Sequence, residues 1–382
     1  MKFTKTIMAT ALVLGFSAAA QAEQSSVTLF GLIDLGLQYN NVSTPSQSSA
    51  SRIGVASGQS RPTVFGIRGV EDLGNGNAAV FNLTSNFNAS NGQLADTNTL
   101  FNQQATLGIR NDTYGQVDFG RQTNMASKYF VTIDPFNTYF GQAGMGTSFG
   151  AANNARYSNM IMFQSASYSG FSAGAGYSFN TGNTGVYGNS GVVDNGTDNF
   201  ATTNNQRALT LGAKYASGPL TVVATYDQVM PSNNVGNGNA STPKQWIVGG
   251  SYDFTVVKAS LAYSQTRSGW IAGTQPISGS GLNPSWSNGA VLYQDGFGAN
   301  SYLVGLSAPL SDRSNVFGSY QLATPTGNLT GIGANQSVYS IGYDYSFSKR
   351  TTVYVAGSYA MNYAMVDGAK STSVMTGVRH SF

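Results

Sequence analysis

One histidine, His380, serves the whole 382-residue chain, there is no cysteine, and the 16 acidic side chains are dispersed. Nucleophilic catalysis by serine needs an adjacent base, normally histidine, and an orienting carboxylate. His380 is the sole candidate base, and it stands two residues from the terminal Phe382. Glycoside hydrolysis would need two converging carboxylates, and no spacing nominates a pair. Zinc lacks ligands in a chain with no thiolate and one imidazole, and no glycine-rich phosphate loop follows a strand and opens a helix. No catalytic, cofactor or metal site is expected, and an enzyme is disfavoured.

The elements that carry the remaining charges must therefore explain them. Lys2 and Lys5 precede the apolar run IMATALVLGF, and Ala20-Gln21-Ala22 supplies a small-x-small cleavage pattern. This reads as a secretory signal peptide over 1–22, followed by one domain over 23–382. No later stretch approaches the roughly 20 apolar residues of a membrane-spanning helix. Without the two signal lysines, 17 basic residues face 16 acidic ones, a net charge of about +1. Such a balance argues against nucleic acid as a partner. Charged residues make up 9% of the chain and aromatics 12%, too little charge for an ordinary soluble surface.

Period-2 alternation is the dominant pattern. In FSAGAGYSF, Phe171, Ala173, Ala175, Tyr177 and Phe179 alternate with Ser172, Gly174, Gly176 and Ser178; VYSIGYDYSF repeats the device with Tyr339, Ile341, Tyr343, Tyr345 and Phe347. Such runs are joined in pairs by short Gly, Asn, Asp, Ser and Pro turns: Glu71–Asn77, Asn111–Gly115, Tyr168–Gly170, Ala216–Pro219, Asp253–Thr255, Leu310–Ser314 and Phe347–Arg350. Seven hairpins, with the first segment SSVTLFGLIDLGLQ and the last, KSTSVMTGVRHSF, predict sixteen strands. Long polar segments, such as Asn180–Gln206 and Ser268–Asn300, separate the hairpins. Short turns alternating with long loops and an even strand number are the pattern of a transmembrane β-barrel. The alternative is a secreted β-sandwich. Against it stand the Gly, Ser, Thr and Asn of the polar faces, the aromatics at strand ends (Tyr215, Tyr226, Trp246, Tyr252, Tyr263, Tyr302, Tyr359), and the aromatic terminus.

The stretches SSVTLFGLIDLGLQY, FGIRGVEDLGNGNAAVFNL, YGQVDFGRQ, RYSNMIMFQSASYSGFSAGAGY and TGVRHSF together resemble the general porins of Gram-negative outer membranes, especially the beta-proteobacterial branch. The resemblance implies an all-β, 16-stranded antiparallel barrel with short periplasmic turns, long external loops and a third loop folded inward. It implies a homotrimer in the outer membrane, in contact with membrane lipid and lipopolysaccharide and inserted by the outer-membrane assembly machinery. Small hydrophilic solutes and ions would diffuse through its water-filled pore. The third loop here covers 123–155, with Lys128 and Asp134 within it. Arg68 of the IRG motif shares a strand face with Gly66, opposite Phe65 and Ile67, and should line the lumen as part of the constriction, while Arg121 and Arg156, carried over residue by residue, match arginines at or near the family's narrow zone. Val64 stands where relatives often carry a wall arginine, with Arg61 as its candidate substitute, and Asn102, Gln103 and Gln104 stand where relatives can carry arginines. Weak charge selectivity is the expectation.

Three other functions compete with a general pore: a substrate-specific channel, a surface adhesin or structural barrel using the long loops, and an outer-membrane enzyme. In the barrel reading Val374, Thr376, Val378, His380 and Phe382 share the lipid face of the closing strand, with Arg379 facing inward. His380 then becomes an interfacial ring, and Phe382 the end of an assembly signal.

Overall fold

The computed structural model describes residues 26–45, 47–96, 98–181, 202–232, 242–268, 271–272, 291–292, 296–327 and 333–382. The expected signal peptide lies outside them. Sixteen strand positions form one closed antiparallel sheet. They are β1 (Ser26–Thr44), β2 (Gln47–Ser57 and Val64–Gly74), β3 (Asn77–Asn88), β4 (Gln104–Asn111), β5 (Gly115–Thr123), β6 (Arg156–Ser165), β7 (Phe171–Ser178) and β8 (Arg207–Ser217). They continue with β9 (Leu220–Met230), β10 (Lys244–Asp253), β11 (Lys258–Arg267), β12 (Gly298–Ser311), β13 (Ser314–Pro325), β14 (Gln336–Ser346), β15 (Thr351–Met361) and β16 (Lys370–Ser381). All seven tight turns read from the sequence fall between the strands they were expected to join.

Closure pairs β1 with β16, from Leu32 opposite Ser381 to Ser43 opposite Lys370. Beyond that ladder the terminal residue exchanges two backbone bonds with Gly31: Gly31 N to Phe382 O at 3.1 Å and Phe382 N to Gly31 O at 3.0 Å. A closed ladder is what hydrocarbon demands, because a strand edge in lipid would leave N–H and C=O groups unpaired. The Phe382 ring lies over Gly31 so closely that a Cβ there would sit 2.3 Å from it.

The outward face carries the apolar members of each alternation. Leu29, Leu107, Ile109, Phe119, Leu261, Val304 and Ile341 are all at least half exposed. On β16, Val374, Val378, His380 and Phe382 are exposed on this same face, and His380 Nδ1 shares a hydrogen bond with Thr351 Oγ1.

The sequence reading missed the form of β2. Gln47–Ser57 pairs with the outer half of β1, and Val64–Gly74 with its inner half. The first external connection is thus a tight turn near Pro45, and β2 is interrupted at 58–63. Gly58 there has φ +74° and Pro62 removes a donor, which together break the ladder.

Candidate functional site: an inward loop and a basic wall

The third loop leaves β5 and turns into the barrel. Asn124 caps the short helix α1 (Met125–Phe130), its side chain accepting from Ser127 N. The same side chain donates to Asp227 Oδ1 of β9 at 2.8 Å and to Ala151 O at 2.8 Å, while Met125 N donates to Thr210 Oγ1 of β8 at 2.8 Å. The polar inner face of the wall then pins the loop along its length. Ala151 N donates to Gln245 Oε1 (2.7 Å), Ser301 Oγ to Ser148 O (2.6 Å), and Gln321 Nε2 to Ala143 O (2.9 Å). Phe140 N donates to Gln59 O at 2.9 Å.

An apolar core fills the space between loop and wall. Met125, Phe130, Met145 and Phe149 pack with Tyr157, Met160, Met162, Val223, Ile247 and Leu303; Phe136 and Phe140 pack with Phe317, Tyr354 and Met375. Each buried Phe or Met side chain contributes about 1.5–3 kcal/mol. The loop comes closest to the wall at three inward glycines. A Cβ at Gly174 would come within 2.4 Å of Met125, at Gly249 within 2.8 Å of Phe130, and at Gly305 within 2.5 Å of Pro135. These inward glycines, on the small-residue faces of their strands, were a readable sign of a packed loop.

Two buried carboxylates hold the loop tip and the wall beside it. Asp34 of β1 has no exposed surface. Its Oδ2 accepts from Ser60 N (2.7 Å), Ser60 Oγ (2.7 Å) and Arg61 N (2.8 Å), and its Oδ1 accepts from Tyr354 Oη (2.5 Å). It thereby holds the 58–63 interruption as a step on the wall, which supplies Gln59 O to the loop and presents Arg61. Asp134 is 3% exposed and accepts from Phe136 N (3.1 Å), Thr138 N (2.8 Å) and Met145 N (2.9 Å). These bonds stabilise a loop tip in which Asn137, Thr138 and Phe140 have φ of +53°, +64° and +63°, values that a β-branched or bulky residue adopts only under restraint. Burial pushes the Asp134 carboxyl up to about 6, with the three backbone N–H groups and the charge of Arg61 pulling the other way.

The charged residues expected from the sequence separate into groups. Arg61 stands over the Tyr139 ring of the loop, 5.2 Å from its centroid, and feels both Asp134 and Arg379. Lys128 lies on α1 in the field of Asp118. Arg68 shares the inward face with Thr28 and Asn82, its cross-strand partners, but sits further toward the periplasmic turn over the Phe30 ring. Arg156 donates to Asn154 O (3.0 Å) and to Gln103 Oε1, where the loop rejoins the wall.

Arg121 is a correction. Gly120 and Gln122 face inward opposite Met160 and Tyr157. Arg121 therefore shares the outward face of Leu107 and Phe119 and donates to Asn102 O (2.9 Å) and Ser158 Oγ (3.0 Å). Sequence reading missed Asp34 and Tyr354, which meet across 320 positions of chain, and it put Arg379 on the inward face without giving it a role.

Among the described residues no group of three or more His, Cys, Asp or Glu side chains is placed to hold a metal ion.

The family model described as Gram-negative porin matches residues 9–364. An outer membrane porin protein of Bordetella pertussis is 47% identical over 393 residues, spanning 99% of this chain and 100% of that one; outer membrane porin protein 32 of Delftia acidovorans is 28% identical over 399 residues, spanning 99% of each. Among solved structures, an anion-selective porin from Comamonas acidovorans superposes with a TM-score of 0.70 at 25% identity, covering 94% of this chain and 100% of that one. The trimer form of an outer membrane protein of Vibrio cholerae has a TM-score of 0.60 at 14% identity, covering 94% and 100%.

Proposed function

Since the chain belongs to the Gram-negative porin family and forms a diffusion pore in the outer membrane, we propose that small hydrophilic solutes pass without a chemical step through a neck set by the third loop and Arg61, with a weak preference for anions. One observation carries this: the acids of the neck are consumed as buried acceptors, while the cations remain on the lumen side. Asp34 and Asp134 each answer three or more donors, and Asp227 is held by Asn124. Arg61 and Arg379 stand on the inward side within each other's field, whereas Lys128 on the loop is faced by Asp118. A low-dielectric wall focuses the field of such unbalanced charges onto the ion path. That the Comamonas relative is described as anion-selective supports the same sign.

We further infer a homotrimer. The outward faces of β1, β2 and β4 carry exposed aliphatics, Val27, Leu29, Leu37, Ile67, Leu107 and Ile109, whereas β9 to β12 carry Tyr226, Trp246, Tyr263 and Tyr302. A mainly aliphatic sector, with Tyr39 and Phe65 as its exposed rings, suits a protein neighbour, and a run of adjoining aromatic strand ends suits a lipid interface. The chain start, 1–22, is an export signal on this reading, and Phe382 and His380 form the end of the assembly signal.

Planar-bilayer recording under a salt gradient tests the selectivity. The wild-type reversal potential should show chloride favoured over potassium, and Arg61→Gln with Arg379→Gln should move it toward the cation side. A cation-preferring wild type, or an unmoved double variant, would refute the proposal. Insertion in three equal conductance steps is the expected trimer signature.

A further inference from the structure

Phe30 and Leu32 interrupt the polar inner face of β1. Their neighbours Leu29 and Ile33 are 66% and 40% exposed on the lipid side, so Phe30 and Leu32, with Thr28 and Asp34, turn toward the lumen. On β2, Phe65 and Ile67 face outward, which turns Val64, Gly66 and Arg68 inward. The register stacks these residues in three cross-strand rows. Thr28, Arg68 and Asn82 form the row nearest the periplasmic turn, Phe30, Gly66 and Thr84 the next, and Leu32 stands opposite Val64 in the third.

This part of the wall is open. The third loop packs on β6, β8 to β13, β15 and β16, and none of Phe30, Leu32 or Val64 belongs to the apolar clusters beneath it. All three side chains are partly exposed. Apolar surface left in a water-filled pore is stabilised only when something apolar covers it.

The row below supplies the opposite chemistry. The Phe30 ring lies along the wall across Gly66, where a Cβ would sit 2.7 Å from Cζ, and the Arg68 guanidinium stands over the ring, 5.2 Å from its centroid. A guanidinium stacked on an aromatic face keeps its N–H edge for a carboxylate. Thr84 Oγ1 donates to Asn82 Oδ1 at 2.6 Å, which leaves the Asn82 NH2 group as a donor in the row of Arg68. Thr28 adds an exposed hydroxyl. No carboxylate among the described residues lies within 4 Å of Arg68. The nearest inward acid of β2, Asp72, accepts from Gly74 N at 2.7 Å in the turn, and Asp34 is enclosed by its own donors. Two apolar rows thus follow directly on a row of anion donors, each step along the strand being about 7 Å.

We propose that Arg68, Asn82 and Thr28, together with Phe30, Leu32 and Val64, form a lumen site for aromatic carboxylates. Arg68 and Asn82 take the carboxylate, and the ring of the solute lies flat on Leu32 and Val64 beside Phe30. The site rests on the passage of solutes proposed above, and it adds an apolar contact that a field of arginines alone lacks.

Benzoate, acetate and benzamide test this, each added to the purified wild-type protein in a planar bilayer bathed in potassium chloride. Binding is read as the concentration at which each probe reaches half of its effect on current and current noise. Each methylene-sized apolar group covered changes affinity several-fold. Benzoate should therefore act at a concentration at least about tenfold below that of acetate, and benzamide, which keeps the ring without the charge, should need at least about tenfold more than benzoate. Arg68→Gln should raise the benzoate midpoint about fivefold or more. Leu32→Ser with Val64→Ser should bring benzoate to the midpoint of acetate while the reversal potential in potassium chloride stays at the wild-type value. Should that double variant not assemble, Val64→Thr, which keeps the shape of the side chain, should raise the benzoate midpoint about threefold. Equal midpoints for benzoate and acetate in the wild type would overturn the proposal, as would a benzoate midpoint unmoved by Arg68→Gln or by the apolar substitutions. A wild type that favours potassium over chloride yet shows these benzoate responses would support the site and overturn the charge preference proposed for the neck.

Discussion

Replacing Asp34 by alanine should loosen the step on which the neck is built. The substitution strands four donors that now meet one fully buried carboxylate: Ser60 N, Ser60 Oγ, Arg61 N and Tyr354 Oη. A hydrogen bond to a charged group contributes about 1.5–3 kcal/mol, and removing one partner of a buried charged network typically costs about 3–5 kcal/mol. The ladder on either side is unaffected in its own bonds, so the loss concentrates in 58–63 and in the Phe140 contact to Gln59 O. A local destabilisation of about 3 kcal/mol is roughly a hundredfold in the opening equilibrium. Hydrogen exchange at the Ser60 and Arg61 amides should therefore accelerate by that factor while the amides of β10 and β11 stay protected. In single-channel recordings the freed loop tip should appear as added open-channel noise. Tyr354→Phe, which removes one donor, should produce a tenfold effect or less. Unchanged exchange at Ser60 and Arg61 with a quiet channel in Asp34→Ala would refute the assignment of Asp34 as the holder of the neck.

Other perturbations follow from the same contacts. Gly31→Ala places a Cβ 2.3 Å from the Phe382 ring and should lower the temperature at which the barrel unfolds on a heat-modifiability gel; deleting Phe382 also removes two closing backbone bonds and should reduce the assembled fraction further. Gly305→Val, whose Cβ would meet Pro135 at 2.5 Å, should push the loop off the wall and change unit conductance without preventing assembly. Asp134 supplies a pH dependence. With the folded carboxyl at about 6 against an ordinary 3.8, the folded state binds more protons between those values, so the loop tip is most stable below about pH 4, loses stability as pH rises toward 6, and is level above it. Asp134→Asn should abolish that dependence, read as hydrogen exchange at the Thr138 and Met145 amides, which donate to the carboxyl.

The order of strands, the seven tight turns and the identity of the lipid face were legible in the linear pattern. Alternation has a period of two whatever the partner strand, and turn residues act within four positions of one another. The length of the third loop was legible for the same reason, and its inward path was hinted at by Gly174, Gly249 and Gly305. The broken β2 was not, because Gln47–Ser57 exposes Ile53 and Val55 without a clean alternation and is held as a strand by β1 rather than by its own pattern.

What each charge does was decided only in three dimensions. Arg121 looked like a neck residue by motif, yet pleat and register put it on the other side of the sheet. Asp134 looked like a free acid in the loop, yet three backbone amides enclose it. Asp34 and Tyr354 gave no local signal, since their contact spans nearly the whole chain. The sequence by itself determined which residues alternate, turn and end the barrel, because those properties are set by near neighbours. Only the closed barrel decided which carboxylates are used up and which cations remain to face an ion, because that depends on donors brought together from strands far apart in the chain.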